Sequence, residues 1–316
     1  MFGGASTDAQ AAKIVNMARD AGVNFIDTAE SYSGTASERV VGKLLKRDRN
    51  AWVVATKTGA SPMGPGPNDK GLNRRRLMTA IDQSLLRLKM DHVDVYYLHQ
   101  SDASTPLEET LGAVKDIIRA GKARYWGFSN FPVWQIGLIA HVCEKIELEL
   151  PVVCQPYYNA MNRLPEVELL PACQHYGFGV VPYSPLARGV LTGKYDPDEA
   201  PDPSTRAGRG DRRILQAEFR KESLIIAKKL KTYAESKGTT PGALAIGWTL
   251  NSKAVTSVLP GPRTPQHWRA NLAALDYVFT AEDEAYFDSL VPPGQFSTPG
   301  FVDPKFPVMG RFPMVG

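Results

Sequence analysis

The sequence predicts an α/β protein built as a (β/α)8 TIM barrel. Three observations support this prediction: helical and strand patterns alternate along the chain, the strands are short and rich in β-branched residues, and polar residues stand at their carboxyl ends. Short buried strands separated by helices are typical of a parallel sheet. The chain has 316 residues, of which 43% are hydrophobic, and a barrel of this type typically needs about 250 residues.

The elements can be assigned in order from the apolar spacing. "AKIVNMARDAG" is a predicted helix and "VNFIDT" the strand after it, and the same alternation continues along the chain. The further helix and strand pairs are "ASERVVGKLLK" with "AWVVATK", "NRRRLMTAIDQSLLRLK" with "HVDVYYLH", "LEETLGAVKDIIRAG" with "ARYWGFSN", "VWQIGLIAHVCEKI" with "PVVCQ", and "EVELLPACQHYG" with "FGVVPYS". Two helices, "KESLIIAKKLKTYAESKG" and "PGALAIGWTLN", precede a seventh strand, "AVTSVLPG", and "QHWRANLAAL" is the helix after it.

Seven strands are one fewer than a barrel requires, and nothing marks the reversal of strand order that an open doubly wound sheet would show. The start "MFGGAST" has the character of a glycine-rich loop that follows a first strand. We therefore expect the first strand to be missing from this sequence and the natural chain to carry about 15–30 further residues upstream. We predict one domain over residues 1–316, with a tail rich in proline and phenylalanine from about residue 291 that closes the barrel mouth, packs elsewhere or is disordered.

Composition excludes several classes of protein. A net charge of +4 is too mild to predict binding to nucleic acid or to a membrane, and the basic runs are interpreted as solvated faces. These runs are Lys46-Arg47, Arg74-Arg75-Arg76 and Arg212-Arg213. Three cysteines without a CxxC pair suit reduced thiols and predict no metal site. Without a signal peptide or an apolar run of roughly 18 residues, the sequence predicts a cytoplasmic protein and leaves its oligomeric state open.

Polar residues close the predicted strands one after another. In a barrel, catalytic groups gather at the carboxyl ends of the strands. Helix capping explains an isolated Asp-Thr pair at a strand end, but it does not explain a whole series of polar strand ends. In chain order the strand ends are Asp27, Lys57, His99, Ser129-Asn130, Gln155, Tyr183-Ser184 and Gly261.

Four of the polar residues form a set suited to carbonyl reduction. A tyrosine is a poor acid near neutral pH, but an ammonium beside it lowers the pKa of the phenol. Tyr32 and Lys57 supply this phenol and amine, and Asp27 supplies the counter-charge that a buried amine needs. His99 adds a neutral donor that could hold a carbonyl oxygen in line with the phenol. Such a set protonates the oxygen while hydride reaches the carbon.

The sequence resembles the aldo-keto reductase superfamily in seven motifs that occur in order: "FIDTAESY", "ATK", "VDVYYLH", "GFSN", "CQPYYN", "VPYSPLARGVLTGKY" and "LPGPRTPQHWRANLAAL". Within the superfamily it looks most like bacterial reductases related to the β subunits of potassium channels. The resemblance implies a (β/α)8 barrel and an NADPH-dependent carbonyl reductase. It places the catalytic tetrad on Asp27, Tyr32, Lys57 and His99. The sequence departs from the family at Ser33, where glycine usually follows the tyrosine.

The resemblance also implies how a dinucleotide is held, although no G-x-G-x-x-G fingerprint is present. Ser129, Asn130 and Gln155 would bind the nicotinamide amide, and Tyr183 would stack on its ring. The loop from Ser184 through Leu186 and Arg188 would hold the pyrophosphate, with Lys194 and Arg206 as clamps. Gly261, Arg263, His267 and Asn271 would hold the adenosine end, with Arg263 on the 2′-phosphate. The family usually has glutamine at His267 and an acidic residue at Ala270, so NADH also remains possible as cofactor.

Two other functions fit parts of the sequence. A non-catalytic, cofactor-sensing binding subunit would use the same barrel, but it has no need of the full tetrad. A barrel enzyme that uses Lys57 as a Schiff-base amine would leave Tyr32, Tyr183 and the Arg263 segment without a role. The expected partner is a small-molecule carbonyl compound, and aldehydes, simple ketones, quinones and bulky polycyclic ketones all stay open.

Overall fold

The computed structural model describes residues 1–61 and 63–308. The chain divides into two compact units. The first contains Met1–Pro156, Glu168–Val181 and Gly261–Arg269, and the second contains Tyr157–Val167, Pro182–Pro260 and the described part of Ala270–Gly316. Within the described ranges, no helix has the length and apolar character needed to cross a membrane.

The first unit is built on a six-stranded parallel sheet whose strand order follows the chain, β1-β2-β3-β4-β5-β6. This order contains no reversal, which agrees with a barrel and disagrees with an open doubly wound sheet. Residues of β2 and β3 are buried almost throughout, as expected of parallel strands covered on both faces. The strands are β1 (Phe25–Asp27), β2 (Val53–Thr58), β3 (Val93–Leu98), β4 (Ala123–Ser129), β5 (Val153–Gln155) and β6 (Gly179–Val180).

Helices alternate with these strands as the apolar spacing predicts. Local signals fix their starts: Thr7 and Gln10 form a capping box before the first helix, and the side chain of Asn73 caps the third. The helices are α1 (Asp8–Asp20), α2 (Ala36–Leu45), α3 (Arg74–Leu88), α4 (Leu107–Arg119), α5 (Trp134–Ile146) and α6 (Leu169–Tyr176).

The strand register brings the predicted site residues to one edge of the sheet. Asp27 pairs with Ala55, two residues before Lys57 on the neighbouring strand. Ser129 at the end of β4 pairs with Gln155 at the end of β5. Because all six strands are parallel, their carboxyl ends lie on the same edge, where the polar series was expected.

The second unit contains helices and irregular segments. Its helices include two that the sequence analysis did not predict, α7 and α11; a capping box between Thr280 and Asp283 marks the start of α11. Another helix, α10, carries residues of both units. The bounds are α7 (Arg212–Ala217), α8 (Lys221–Ser236), α9 (Pro241–Asn251), α10 (Pro265–Leu272) and α11 (Ala281–Leu290).

The predicted seventh strand at "AVTSVLPG" is wrong in extent. Only Leu259 pairs there, in a single parallel bridge with Tyr183, and its N–H donates to the carbonyl of Pro182 at 3.0 Å. The start of the predicted strand lies in a turn, in which the N–H of Val255 donates to the carbonyl of Ser252 at 2.9 Å. Pro260 and Pro262 offer no N–H to a ladder, which prevents the pairing from extending beyond Leu259.

The tail is a packed segment over its described part, residues 291–308, which contains no helix or extended strand. Arg163 donates to the carbonyl of Val291 at 2.8 Å, and the guanidinium of Arg220 lies 3.7 Å from the ring centre of Phe301. Arg213 forms a two-point ion pair with Asp303. These contacts fix the tail to residues of the second unit. The remainder of the predicted tail lies outside the described residues.

Candidate active site

The site centres on Lys57, whose side chain is fully buried at the end of β2. Its ammonium donates to Asp27 Oδ2, to the carbonyl of Thr28 at 2.8 Å and to the phenol oxygen of Tyr32 at 3.2 Å. Burial by itself would lower the pKa of Lys57, but the charges of Asp27 and Tyr32 and their hydrogen bonds outweigh it and raise that pKa. The amine is therefore held as a charged ammonium beside the phenol.

Tyr32 lies between the ammonium and a histidine. Lys57 Nζ is 4.7 Å from the centre of the Tyr32 ring, and the Tyr32 and His99 rings meet edge to face with centres 5.7 Å apart. A cation beside a phenol stabilises the phenolate and makes proton release easier. Asp27, Tyr32, Lys57 and His99, which the sequence placed on separate strands and loops, come together as one cluster.

The amide and hydroxyl residues expected beside the nicotinamide complete this cluster. Gln155 Nε2 donates to Asp27 Oδ1 at 3.0 Å, and its main-chain carbonyl accepts from Ser129 Oγ at 2.7 Å. Asn130 Nδ2 donates to Ser129 Oγ at 2.8 Å and to the His99 carbonyl at 2.9 Å. The six predicted strand-end residues of the first unit and Tyr32 thus form one connected network of hydrogen bonds and ring contacts.

A second buried ion pair lies nearby in sequence and was not predicted. Glu30, 1% exposed, accepts from Arg76 Nη2 at 2.6 Å, from Thr58 Oγ1 at 2.5 Å and from the N–H of Gly59 at 3.1 Å. The interpretation of the whole Arg74-Arg75-Arg76 run as a solvated face is therefore wrong for Arg76. Its spacing from the apolar residues of α3 places it on the buried face, which is the signal that the sequence did offer.

Glu38 repeats this arrangement one helix turn into α2. It is fully buried, accepts from Arg87 Nε at 2.6 Å, and accepts from Thr56 Oγ1 at 2.6 Å. Thr28, considered above as a helix cap, instead donates its hydroxyl to Ser37 Oγ at 2.8 Å. The polar end of β1 is thus explained by buried side-chain pairs and not by capping.

The loop expected to hold a pyrophosphate lies in the second unit and has an unusual backbone. Ser184, Ala187 and Arg188 have φ values of 57°, 46° and 54°, and Gly189 has a φ of 99°. Each non-glycine residue in this left-handed region costs roughly 1–2 kcal/mol. Side-chain contacts offset the strain: Asn159 Nδ2 donates to the Ser184 carbonyl at 3.0 Å, and Arg188 Nη1 donates to Ser184 Oγ at 3.2 Å.

Tyr183, expected to stack on the nicotinamide, itself stacks on Tyr157 with ring centres 5.6 Å apart and planes 25° apart. The Tyr157 hydroxyl donates to Glu218, which is 1% exposed. Burial, followed by the charge of Glu218, raises the pKa of the Tyr157 phenol, and burial also raises the pKa of Glu218 against the opposing charge of Arg188. Sequence reasoning missed both residues: Tyr157 lies in the quoted motif "CQPYYN" but was given no role there, and Glu218 lies outside the quoted motifs and ends no apolar strand.

Three more predicted residues of the second unit have identified surroundings. Leu186 packs into an apolar cluster with Ala243 and its neighbours. Lys194 approaches the loop closely, since a Cβ built on Gly189 would lie 3.1 Å from its Nζ. Arg206 pairs with Asp211 at 2.9 Å, so it would have to leave that carboxylate to clamp a phosphate.

The remaining predicted residues lie along α10 and the turn before it. Gly261 has a φ of 58° and is exposed, and Arg263 is half-buried two residues before the helix. The N–H of His267 donates to Thr264 Oγ1 at 3.2 Å, which caps the start of α10. Asn271 is half-buried within α10. In the ranges 1–61 and 63–308, no three His, Cys, Asp or Glu side chains are grouped as a metal ion would require.

Comparisons with known proteins identify the family of this chain. The sequence profile of the Aldo/keto reductase family matches residues 1–292. The chain is 37% identical over 281 residues to a probable voltage-gated potassium channel subunit beta of Arabidopsis thaliana, covering 88% of this chain and 85% of that protein. It is 38% identical over 282 residues to a protein of the same name from Oryza sativa subsp. japonica, with the same coverage of 88% and 85%.

An enzyme is also among the relatives. The chain is 32% identical over 295 residues to L-glyceraldehyde 3-phosphate reductase of Escherichia coli O157:H7, covering 90% of this chain and 84% of that protein. Members of the family generally use NAD(P)H and act on small-molecule carbonyl compounds. With its sequential parallel strands and a family match over nearly its whole length, the chain belongs to the aldo/keto reductase family, an oxidoreductase family whose fold is the predicted (β/α)8 barrel.

Proposed function

We propose that this chain reduces an aldehyde or ketone to the alcohol with NADPH as cofactor. The observation that carries the proposal is the contact of the buried Lys57 ammonium with both Asp27 and the phenol of Tyr32. The bound cofactor would supply the hydride. The side chains of the tetrad would bind the substrate oxygen and supply the proton.

Tyr32 acts as the general acid in this proposal. As the carbonyl carbon accepts the hydride, its oxygen gains negative charge and takes the phenolic proton of Tyr32. Lys57, 3.2 Å from that phenol, stabilises the phenolate that remains. Asp27 keeps the amine charged at a depth where an unpaired ammonium would lose its proton.

His99 positions the substrate oxygen. Its ring meets the Tyr32 ring edge to face, so an oxygen held by the imidazole N–H would lie beside the phenol. Orientation of this kind brings the reacting atoms together before the chemical step and lowers its entropic cost.

The donors present also fit a dinucleotide. The amides of Asn130 and Gln155 and the hydroxyl of Ser129 are complementary to the carboxamide of nicotinamide. In the second unit, we assign Tyr183 to the nicotinamide ring and the loop from Ser184 through Leu186, with Lys194 and Arg206, to the pyrophosphate. Gly261, His267 and Asn271 are assigned to the adenosine.

Arg263 is assigned to the 2′-phosphate that distinguishes NADPH from NADH. A guanidinium beside a helix N-terminus suits a dianion. We expect Arg263→Ala to raise the Michaelis constant for NADPH ten- to a hundredfold, because a charge-assisted contact contributes roughly 1.5–3 kcal/mol. The constant for NADH should change little. Equal losses with both cofactors would rule out this assignment.

The overall proposal is tested by cofactor binding and turnover together. Purified protein is titrated with NADPH by nicotinamide fluorescence and then assayed with aldehydes, ketones and quinones, glyceraldehyde 3-phosphate among them. We expect NADPH oxidation that requires the carbonyl compound and is lost in Tyr32→Phe. Binding without turnover on any carbonyl would contradict the proposed reaction.

A second candidate function is a cofactor-binding subunit of a larger assembly, which the names of the plant relatives favour. It predicts that NADPH binds without carbonyl-dependent turnover. A Schiff-base mechanism is disfavoured, since a nucleophilic lysine needs a lowered pKa and the surroundings of Lys57 raise it.

A further inference from the structure

The strained loop Ser184–Gly189 depends on one side chain that turns inward. Arg188 is only 10% exposed, and its guanidinium lies 5.7 Å from the centre of the Tyr157 ring. The same guanidinium donates to Ser184 Oγ at 3.2 Å, across the loop's own turn. An arginine used in this way holds the loop closed from inside the protein.

Glu218 is the counter-charge that keeps Arg188 there. It follows α7 directly, is 1% exposed, and its Oε1 lies 3.6 Å from Arg188 Nε. The same oxygen accepts the hydroxyl of Tyr157, the ring on which Tyr183 stacks. The buried Glu218 carboxylate therefore contacts both Arg188, which holds the loop, and Tyr157, on which Tyr183 stacks.

We propose that Glu218 is a positioning residue for the bound cofactor, acting through Arg188 on the loop Ser184–Gly189 and through Tyr157 on Tyr183. This inference rests on the proposed function, since it assumes that the loop and Tyr183 bind a nicotinamide dinucleotide. The family resemblance suggests that Arg188 contacts the phosphate directly, whereas in this proposal Arg188 shapes the loop. A guanidinium that is buried and already neutralised by Glu218 contributes to the shape of the loop, and Lys194 beside Gly189 is left to meet the phosphate.

Two single substitutions separate the contact of Glu218 with Arg188 from its contact with Tyr157. Glu218→Gln removes the charge that attracts Arg188 but keeps an oxygen that can accept from Tyr157. Tyr157→Phe removes only the hydroxyl and leaves the Arg188 ion pair. Glu222→Gln, the same change at an exposed position in α8, is the control.

The measurements are the dissociation constants of NADPH and NADH, kcat at saturating cofactor, and the melting temperature. We expect Glu218→Gln to raise both dissociation constants by the same factor, on the order of tenfold, because the loop and Tyr183 bind parts common to both cofactors. A smaller rise is expected for Tyr157→Phe, and none for Glu222→Gln. A purely structural role would lower the melting temperature and leave both dissociation constants unchanged well below it, which would overturn the proposal.

A double-mutant cycle distinguishes indirect from direct action by Arg188. If Glu218 acts through Arg188, Glu218→Gln combined with Arg188→Met binds cofactor no more weakly than Arg188→Met alone. If Arg188 instead contacts the phosphate and Glu218 competes for it, Glu218→Gln binds cofactor more tightly than the wild type, and the proposal fails.

Amide hydrogen exchange tests the inference without using activity. In the cofactor-free protein, we expect Glu218→Gln to speed exchange in the segment 184–192 and Glu222→Gln to leave it unchanged. If the wild type binds neither cofactor, the proposed function is wrong, and the exchange rates still decide whether Glu218 holds the loop. Unchanged exchange in Glu218→Gln would overturn the inference. If Glu218→Gln does not fold, Arg188→Met serves for the exchange measurement and Tyr157→Phe for the binding measurement, and unchanged exchange in Arg188→Met would overturn the inference.

Discussion

The first unit contains two buried ion pairs whose carboxylates lie three residues apart in the chain, and the two pairs differ in the groups that they contact. Asp27 pairs with Lys57, and Glu30 pairs with Arg76, each with side chains that are less than a tenth exposed. The Glu30 carboxylate accepts from an arginine, a threonine hydroxyl and a backbone N–H, which leaves it no role beyond structure. The Lys57 ammonium instead uses one of its hydrogen bonds on a phenol.

The difference shows that burial of a charge pair does not by itself indicate catalysis. Both pairs satisfy the requirement that buried charges be compensated. What leads us to propose a catalytic role for the lysine pair is its third partner, Tyr32, and the position of Lys57 at the end of a strand.

The largest expected effect is on the phenol of the catalytic pair. We expect Tyr32→Phe to lower kcat by about 10²–10⁴-fold, the usual contribution of a positioned general acid, while the NADPH dissociation constant changes little. Tyr97→Phe is the control: this buried tyrosine pairs with Lys57 in the sheet, and burial raises the pKa of its phenol well above the usual range. Near-native turnover by Tyr32→Phe would remove the distinction between the two pairs.

Removing one cation from each pair tests the distinction directly. We expect Lys57→Met and Arg76→Met each to lose about 3–5 kcal/mol of unfolding free energy, since each leaves a buried carboxylate without its cation. Only Lys57→Met should lose kcat in its folded fraction. Arg75→Met, a change at the exposed neighbour of Arg76, should stay within about 0.5 kcal/mol of the wild type in urea unfolding. Loss of kcat in folded Arg76→Met would give Glu30 a catalytic role.

The sequence predicted the contact of Asp27 with Lys57 but not that of Glu30 with Arg76, for a physical reason. Parallel strands bring their carboxyl ends together, so polar strand ends such as Asp27 and Lys57 are expected to meet even when far apart in the chain. Glu30 lies in a loop, and Arg76 lies within a run of three arginines of which the other two, Arg74 and Arg75, are exposed. Nothing in the local spacing says which loop a buried arginine will face.

Contacts that a single sequence does not show also explain the other differences between the predictions and the structure. The strands and helices before β6 were predicted, because each has a clear apolar period. The predicted strand at "AVTSVLPG" is reduced to one bridge at Leu259, because its first residues lie in a turn and the prolines after Leu259 supply no N–H to a ladder. Glu218 and Tyr157 were missed, because their importance comes from contacts with the strained loop around Arg188, and a single sequence does not show left-handed backbone at non-glycine positions.

A milder substitution beside the Glu30–Arg76 pair tests further whether this pair is separate from the Asp27–Lys57 pair. Thr58 follows Lys57 on β2, yet its hydroxyl donates to Glu30. We expect Thr58→Val to lose about 1–3 kcal/mol of unfolding free energy in urea titrations, because a charged acceptor loses one donor. The value of kcat should stay close to that of the wild type, because the lost hydroxyl contacts Glu30 and not the Lys57 cluster. A large fall in kcat would show that the two pairs are coupled through adjacent residues of one strand.

The smallest expected effect is the response of the two pairs to alkaline pH. The charges and hydrogen bonds of Asp27 and Tyr32 raise the folded pKa of Lys57 above its ordinary value of 10.5, although burial opposes them. The folded protein therefore holds this proton more tightly than the unfolded chain. The stabilisation is complete below the ordinary pKa and is lost as pH rises through the higher folded one.

The measurement is urea unfolding of the wild type, Lys57→Met and Arg76→Met at a series of pH values. The difference in unfolding free energy between wild type and Lys57→Met should be constant up to about pH 10 and shrink above it. The difference for Arg76→Met should stay constant over the same range, because a guanidinium keeps its proton in proteins. If the Lys57 difference instead grows as pH rises towards about pH 10, the folded pKa of the amine is lowered, because the unfolded chain then holds the proton more tightly than the folded protein. Lys57 would then be a candidate nucleophile, and the division of the two pairs into catalytic and structural would need a different chemical basis.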